Sequence, residues 1–142
     1  MASTLDPDDE RGARRLTSPA PDAYRRAAIA AQAAADKNGD EIVVFDVGDI
    51  LSITEAFVLV SATNTRLVKT IVEQVEETLR ATDDDRPRSV EGLDDATWVL
   101  LDYGDLIVHV FLTETRAYYD LDHLWADAPR VDWEPDAVAR TS

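Results

Sequence analysis

The chain lacks several groups on which enzyme and metal sites are commonly built. Its 142 residues include no cysteine and only two histidines, at positions 109 and 123. The absence of cysteine excludes disulfides, thiolate metal sites and cysteine nucleophiles, and two histidines are too few for a histidine-rich metal cluster. The five glycines are scattered, so the sequence contains neither a glycine-rich phosphate loop nor a Gly-x-Ser-x-Gly elbow.

Basic residues are also scarce. Lys and Arg number 14 against 29 Asp and Glu, which gives a formal net charge of −15. Nucleic-acid binding depends on clusters of Lys and Arg that release counterions, so direct nucleic-acid binding is not expected. A basic protein partner is favoured, because opposite fields speed encounter. Solubility or a high-salt cytoplasm explains the charge equally well when the charge is considered alone.

Long apolar runs and an N-terminal signal segment are absent as well. We therefore expect a cytoplasmic protein that does not contact a membrane. Residues 1–18 are polar, show little apolar periodicity and are predicted to form a disordered tail, and residues 129–142 are predicted to form a flexible one. Residues 19–128 are predicted to form one domain.

Helix and strand patterns alternate within that domain. Apolar spacing and caps predict helices up to residue 37 and over 66–81, with strands over 41–47 and 57–61. A short helix over 113–119, capped by Thr113, follows a pair of further strands. The order predicts an α/β fold in which a mixed β-sheet is sandwiched by helices. Tyr118, Tyr119 and Trp125 are predicted to close the core.

The most informative segment is residues 98–111, in which two apolar runs flank Asp102-Tyr103-Gly104-Asp105. Gly and Asp tolerate the positive φ of a tight turn, so the pattern predicts a β-hairpin centred on Tyr103-Gly104 or Gly104-Asp105. The period of two places these residues on one aliphatic core face: Val99, Leu101, Leu106, Val108 and Val110. The other face mixes chemistry and carries Trp98, Leu100, Asp102, Ile107, His109 and Phe111.

The mixed face is either core with satisfied polar groups or a recognition surface. Trp98 fits both, since tryptophan is enriched in cores and in binding hot spots. His109 is interpreted as a structural histidine for which Asp102 is a candidate partner. Asp102 and Asp105 would suit a metal site for phosphoryl transfer, but a tight turn explains their spacing and no other catalytic groups converge on them.

Three motifs in the correct order resemble the ribosomal silencing factor family (RsfS, Iojap or YbeB). They are Trp-Val-Leu-Leu-Asp-Tyr-Gly-Asp-Leu-Ile-Val-His-Val-Phe at 98–111, Tyr-Tyr-Asp-Leu-Asp-His-Leu-Trp at 118–125, and the segments 40–47 and 52–58. The resemblance covers about residues 21–131. The chain departs from the family at Glu55-Ala56, where Asp-Tyr or Asp-Cys is usual, and at Ala62, where Gly is usual.

The resemblance implies an α/β domain similar to nucleotidyltransferases that lacks their catalytic pattern. It implies a translation repressor, not an enzyme, that needs no cofactor. The implied partners are the large ribosomal subunit, through ribosomal protein L-fourteen, and a second copy of the chain in a homodimer. The bound repressor would block joining of the small subunit.

Site residues follow from the same resemblance. Trp98 matches a family position implicated in the contact with L-fourteen. The neighbouring motif residues are assigned to this partner-binding site by position: Asp102, Tyr103, Gly104, Asp105 and His109. Two alternatives stay open, a nucleotidyltransferase-like enzyme that uses Asp102 and Asp105 with Mg²⁺, and a large-subunit assembly chaperone.

Overall fold

The computed structural model describes residues 20–49, 51 and 54–134. These residues form α1 (Ala20–Asp36), β1 (Asp40–Asp46), β2 (Ala56–Ala62), α2 (Thr65–Asp83), β3 (Ser89–Glu91), β4 (Trp98–Asp102), β5 (Leu106–Leu112), α3 (Thr113–Tyr119) and α4 (Leu121–Leu124). The strands pair in the order β1-β2-β5-β4-β3. Only the β2–β5 pair is parallel, so this part of the chain confirms the predicted α/β fold with a mixed sheet.

Helices α1 and α2 cover one face of the sheet. The apolar stripe of α2 is buried there (Val68, Ile71, Val72, Val75 and Leu79). Helix α1 packs mainly through alanines, whose small side chains permit a close approach to the strands. The predicted aliphatic face of the hairpin, from Val99 to Val110, is fully buried in the same core. The assignment of this face is therefore confirmed.

The opposite face of the sheet is aromatic and is covered by shorter elements. Phe45, Phe57 and Phe111 are buried there, with Trp98 and Trp125 partly buried against them. The prediction that Tyr118 and Tyr119 close the core is wrong, because they are 82% and 54% exposed. Arg116 occupies the buried side of α3, so the two tyrosines that follow it are turned towards solvent.

Arg116 anchors α3 and α4 on the sheet. Its Nη1 donates to the carbonyl oxygen of Glu41 at 2.6 Å and to the hydroxyl of Ser61 at 3.0 Å. Its Nε and Nη2 donate to the carboxylate of Asp122 at 2.7 and 2.8 Å, and this contact lowers the pKa of Asp122. Thr113 does not cap α3 as predicted, because its hydroxyl donates instead to the carbonyl oxygen of Ala62.

The chain beyond residue 128 runs along the outer edge of β1. The amide of Asp46 donates to Pro129 O at 2.8 Å, and the amide of Val131 donates to Val44 O at 2.9 Å. These bonds satisfy an edge strand that would otherwise expose unpaired backbone groups. Residues 129–134 belong to the predicted flexible tail at 129–142, but they pack along β1. The predicted tail at 1–18 lies outside the described residues. No helix of the described segments is both long and apolar enough to cross a membrane.

Candidate functional site

The hairpin turn has Gly104 and Asp105 as its two central residues. The amide of Tyr103 donates to Leu106 O at 2.8 Å, and Gly104 has a φ of +91°, which glycine adopts at little cost. The carboxylate of Asp102 accepts from the amide of Gly104 at 2.7 Å. Asp102 and Gly104 therefore support the turn. The predicted hairpin is confirmed, and of its two predicted centres the structure has Gly104-Asp105 and not Tyr103-Gly104.

Asp105 lies on the helical side of the sheet and is held by an internal ion pair. Its carboxylate accepts from Nη1 of Arg26 at 2.7 Å. Arg26 is 7% exposed and also donates to Asp85 through Nε at 2.9 Å and Nη2 at 2.6 Å. The cluster joins α1, the loop after α2 and the hairpin turn. The predicted role of Asp105 in partner binding is not supported by this placement, because its carboxylate already binds Arg26.

Tyr103 also points to the helical side, into the core formed by α1 and α2. Its side chain is buried at 6% exposure, and its hydroxyl has no hydrogen-bond partner among the described residues. Burial raises the pKa of this hydroxyl, and the charges of Glu76 and Asp85 raise it further. The sheet thus separates Tyr103 and Asp105 from Trp98 and His109, so the six predicted site residues do not form one surface.

Trp98 and His109 lie together on the aromatic face. The indole Nε1 of Trp98 donates to Nδ1 of His109 at 3.2 Å. Burial lowers the pKa of His109 to about 4, so the ring is neutral near pH 7 and carries its proton on Nε2. The prediction that Asp102 is the partner of His109 is wrong. Asp102 and Trp98 are both diagonal neighbours of His109, but the Asp102 carboxylate accepts from the amide of Gly104 in the turn.

One flank of Trp98 opens into a groove of about 470 Å³, here called the aromatic groove. It is lined by Thr97, Trp98, Glu114, Thr115, Tyr118 and Tyr119. The ring centroids of Trp98 and Tyr119 are 5.2 Å apart, and those of Tyr118 and Tyr119 are 5.0 Å apart. The described part of the chain has four exposed large apolar side chains, and two of them, Tyr118 and Tyr119, line this groove.

Sequence reasoning did not place Glu114, Tyr118 or Tyr119 in the site. A signal was available in the α3 segment, where two adjacent tyrosines end a short helix that also contains Glu114 and Arg116. Adjacent residues on a helix point in directions about 100° apart, so both tyrosines are buried only where the helix has a wide buried face. On so short a helix, the adjacent tyrosines are a signal for at least one exposed ring. The prediction that both close the core did not use this signal.

The described residues show no arrangement suited to metal-assisted chemistry. They contain no cluster of three or more His, Cys, Asp or Glu side chains able to hold a metal ion. Asp102 and Asp105 do not converge, because one supports the turn and the other pairs with Arg26 on the helical side. These two carboxylates therefore lend no geometric support to the nucleotidyltransferase alternative.

The fold and the groove define a class of protein: a mixed-sheet α/β domain with an exposed aromatic groove beside Trp98. The model of the family described as ribosomal silencing factor during starvation (RsfS) matches residues 20–142. The chain therefore belongs to the ribosomal silencing factor family, which confirms the resemblance seen in its motifs.

Individual relatives agree with this assignment. The chain is 35% identical to ribosomal silencing factor RsfS of Bacillus subtilis (strain 168) over 105 residues, which are 73% of this chain and 87% of that protein. A crystal structure of a protein from Chromobacterium violaceum is similar with a TM-score of 0.66 and 31% identity, and covers 69% of this chain and 81% of that one. A Mus musculus protein named mitochondrial assembly of ribosomal large subunit protein 1 is 32% identical over 92 residues, 63% of this chain and 40% of its own length.

Proposed function

We propose that this protein represses translation by binding ribosomal protein L-fourteen on the large ribosomal subunit and blocking the small subunit from joining. The observation that carries the proposal is the aromatic groove beside Trp98 on a strongly acidic domain. Tryptophan and tyrosine dominate the binding energy of many protein interfaces. An acidic surface around such an anchor suits a basic ribosomal protein.

Trp98 is the proposed anchor of the contact, and His109 is its positioning residue. The hydrogen bond from the Trp98 indole to His109 fixes the angle of the ring, and Phe111 supports it with centroids 5.6 Å apart. Tyr119 extends the aromatic surface towards solvent. Asp102 and Gly104 act indirectly by shaping the hairpin, while Tyr103 and Asp105 stabilise its other side.

Sedimentation with isolated large and small ribosomal subunits, at moderate and high salt, tests this function. We expect the protein to migrate with the large subunit alone, to dissociate as salt rises and to reduce subunit joining. Trp98→Ala should weaken binding by about 2 kcal/mol or more if Trp98 is a hot spot. The matched control is Leu93→Ala, which truncates an exposed apolar side chain outside the groove. Absence of co-migration at every salt concentration would overturn the proposal.

An assembly role is the second candidate, and the name of the Mus musculus relative favours it. The same groove would then mask the large-subunit surface while the particle matures. The two roles differ in the particle that is preferred. Tighter binding to immature large-subunit particles than to mature subunits would favour assembly, and equal or weaker binding would favour silencing.

The free protein is proposed to form a homodimer in the cytoplasm, as its family resemblance implied. Sedimentation equilibrium of the purified chain tests the stoichiometry, because a dimer has twice the chain mass of 15.7 kDa. A constant mass of one chain across the concentration range would contradict the dimer and leave the ribosome contact untouched.

A further inference from the structure

We propose that the aromatic groove receives an arginine side chain of the partner, with its guanidinium against the Trp98 and Tyr119 rings and paired with the carboxylate of Glu114. The inference deepens the proposed function and rests on it where the partner is taken to be a ribosomal protein. The preference for an arginine side chain follows from the residues that line the groove. It assigns to Glu114 and Tyr119 a role in specificity that the sequence motifs did not.

Three rings provide the surface against which a cation would pack. Trp98 and Tyr119 are tilted by 50° to each other, and Tyr118 meets Tyr119 edge to face at 89°. Aromatic faces carry negative charge density and attract a guanidinium within about 6 Å of the ring centroid. The chain makes such contacts internally, with Arg116 lying 5.8 Å from the centroid of Phe111 and Arg130 lying 5.5 Å from that of Phe45.

The charge of the groove is uncompensated. Glu114 is its only ionisable carboxylate, and none of the six lining residues is basic. Among the described residues, the Glu114 side chain takes part in no ion pair or hydrogen bond, whereas the exposed carboxylates of Asp22, Glu77 and Asp84 each pair with an arginine. A partner cation would therefore gain an ion pair without displacing an internal one.

The walls of the groove are held in place before a partner arrives. The indole N–H of Trp98 is occupied by His109, so the ring offers its face and not its donor. The buried Arg116 ties α3, which carries Glu114 and Tyr119, to β2 through Ser61 and to α4 through Asp122. A preformed site loses little conformational entropy on binding, which favours affinity.

Arginine fits this chemistry better than lysine. A guanidinium is planar, weakly hydrated and able to stack on a ring while its edge donates a fork of hydrogen bonds to a carboxylate. A lysine ammonium is compact and strongly hydrated, so packing it against the rings removes more favourable hydration. The combination of flat rings with one carboxylate therefore selects for arginine.

The first experiment isolates the recognition chemistry from the ribosome. The full-length ¹⁵N-labelled protein is titrated with N-acetyl-arginine amide, its lysine counterpart and N-acetyl-citrulline amide, the neutral isostere of arginine. We expect the indole resonance of Trp98 to shift with arginine, to shift at least about threefold less with lysine at equal concentration and not to respond to citrulline. Glu114→Gln should abolish the arginine response. An equal response to citrulline, or a stronger one to lysine, would overturn the proposal.

The second experiment measures co-sedimentation with large ribosomal subunits. Glu114→Gln and Tyr119→Leu should each weaken binding at least about fivefold, because one removes the ion pair and the other the ring face. Glu73→Gln on α2 is the matched control, since it removes the same charge from the helical side of the sheet. Unchanged binding by both groove variants would overturn the arginine site while the proposed function stands. Failure of the wild type to bind would overturn the function, and the titration would still decide the arginine site.

Discussion

Replacing Asp105 by Asn distinguishes a structural carboxylate from a partner-binding one. The carboxylate accepts from Nη1 of Arg26 at 2.7 Å, and the Asp105 side chain is 29% exposed against 8% for Arg26. The amide of Asn keeps an acceptor oxygen at this position and loses the charge. The substitution therefore tests the ion pair with little change in volume.

The expected cost follows from how much of the pair is buried. Removing one partner of a fully buried ion pair costs about 3–5 kcal/mol. Arg26 keeps its contacts to Asp85 at 2.6 and 2.9 Å, and Asp105 is partly hydrated, so the cost is smaller here. We expect the free energy of unfolding to fall by about 1–2 kcal/mol. For a chain of this size, the midpoint of thermal unfolding should fall by roughly 3–7 °C.

Two measurements on the Asp105→Asn variant check the reasoning. Urea unfolding gives the change in stability, and co-sedimentation with large subunits gives the change in binding at a temperature where the variant stays folded. We expect lower stability with binding within about twofold of the wild type. Unchanged stability together with lost subunit binding would refute the structural role and would place Asp105 in the interface, as the sequence motif first indicated.

Three further predictions concern pH, backbone strain and nucleotides. Because burial lowers the folded-state pKa of His109 from 6.5 to about 4, the unfolded chain binds a proton that the folded chain does not between these values. The stability that the neutral His109 contributes is complete above pH 6.5 and is lost as pH falls towards 4. Over this range the free energy of unfolding in urea should fall by up to about 3 kcal/mol. This part of the pH dependence should be missing in His109→Gln. Gly92→Ala should destabilise the fold by about 2 kcal/mol or more in the same assay, because Gly92 has a φ of +87° and an added Cβ would lie 2.1 Å from the carbonyl oxygen of Trp98; a loss under about 0.5 kcal/mol would contradict this. Calorimetry with nucleoside triphosphates and Mg²⁺ should show no binding heat, and a saturable heat that Asp102→Asn removes would revive the nucleotidyltransferase alternative.

The hairpin shows what local sequence determines. Alternation with a period of two placed Val99 and Leu101 on one face and Trp98 and His109 on the other, and the structure has the same division. Strand geometry alone dictates this alternation, so it can be read without knowing what covers either face. The family resemblance was also read from local segments, because none of its motif segments is longer than 14 residues.

The composition of the site depended on contacts between distant parts of the chain. Asp105 pairs with Arg26 because folding brings the two together from 79 positions apart in the chain. The Asp102 carboxylate was taken by its own turn, so His109 bonds to Trp98 instead. A motif gives the positions of polar side chains along the strand but not the partner that each one meets.

The sequence by itself determined the α/β class, the hairpin, its two faces and the family of this protein. The class, the hairpin and its faces follow from periodicity and spacing within a few residues along the chain, and the family follows from the resemblance of its motifs. The tertiary structure decided which side chains remain exposed. Arg116 reaches Ser61, 55 positions away, and fills the buried side of α3, so Tyr118 and Tyr119 extend into solvent and form a groove with Trp98. Exposure is set by the elements that pack together in space, and that packing is specified by the whole chain at once.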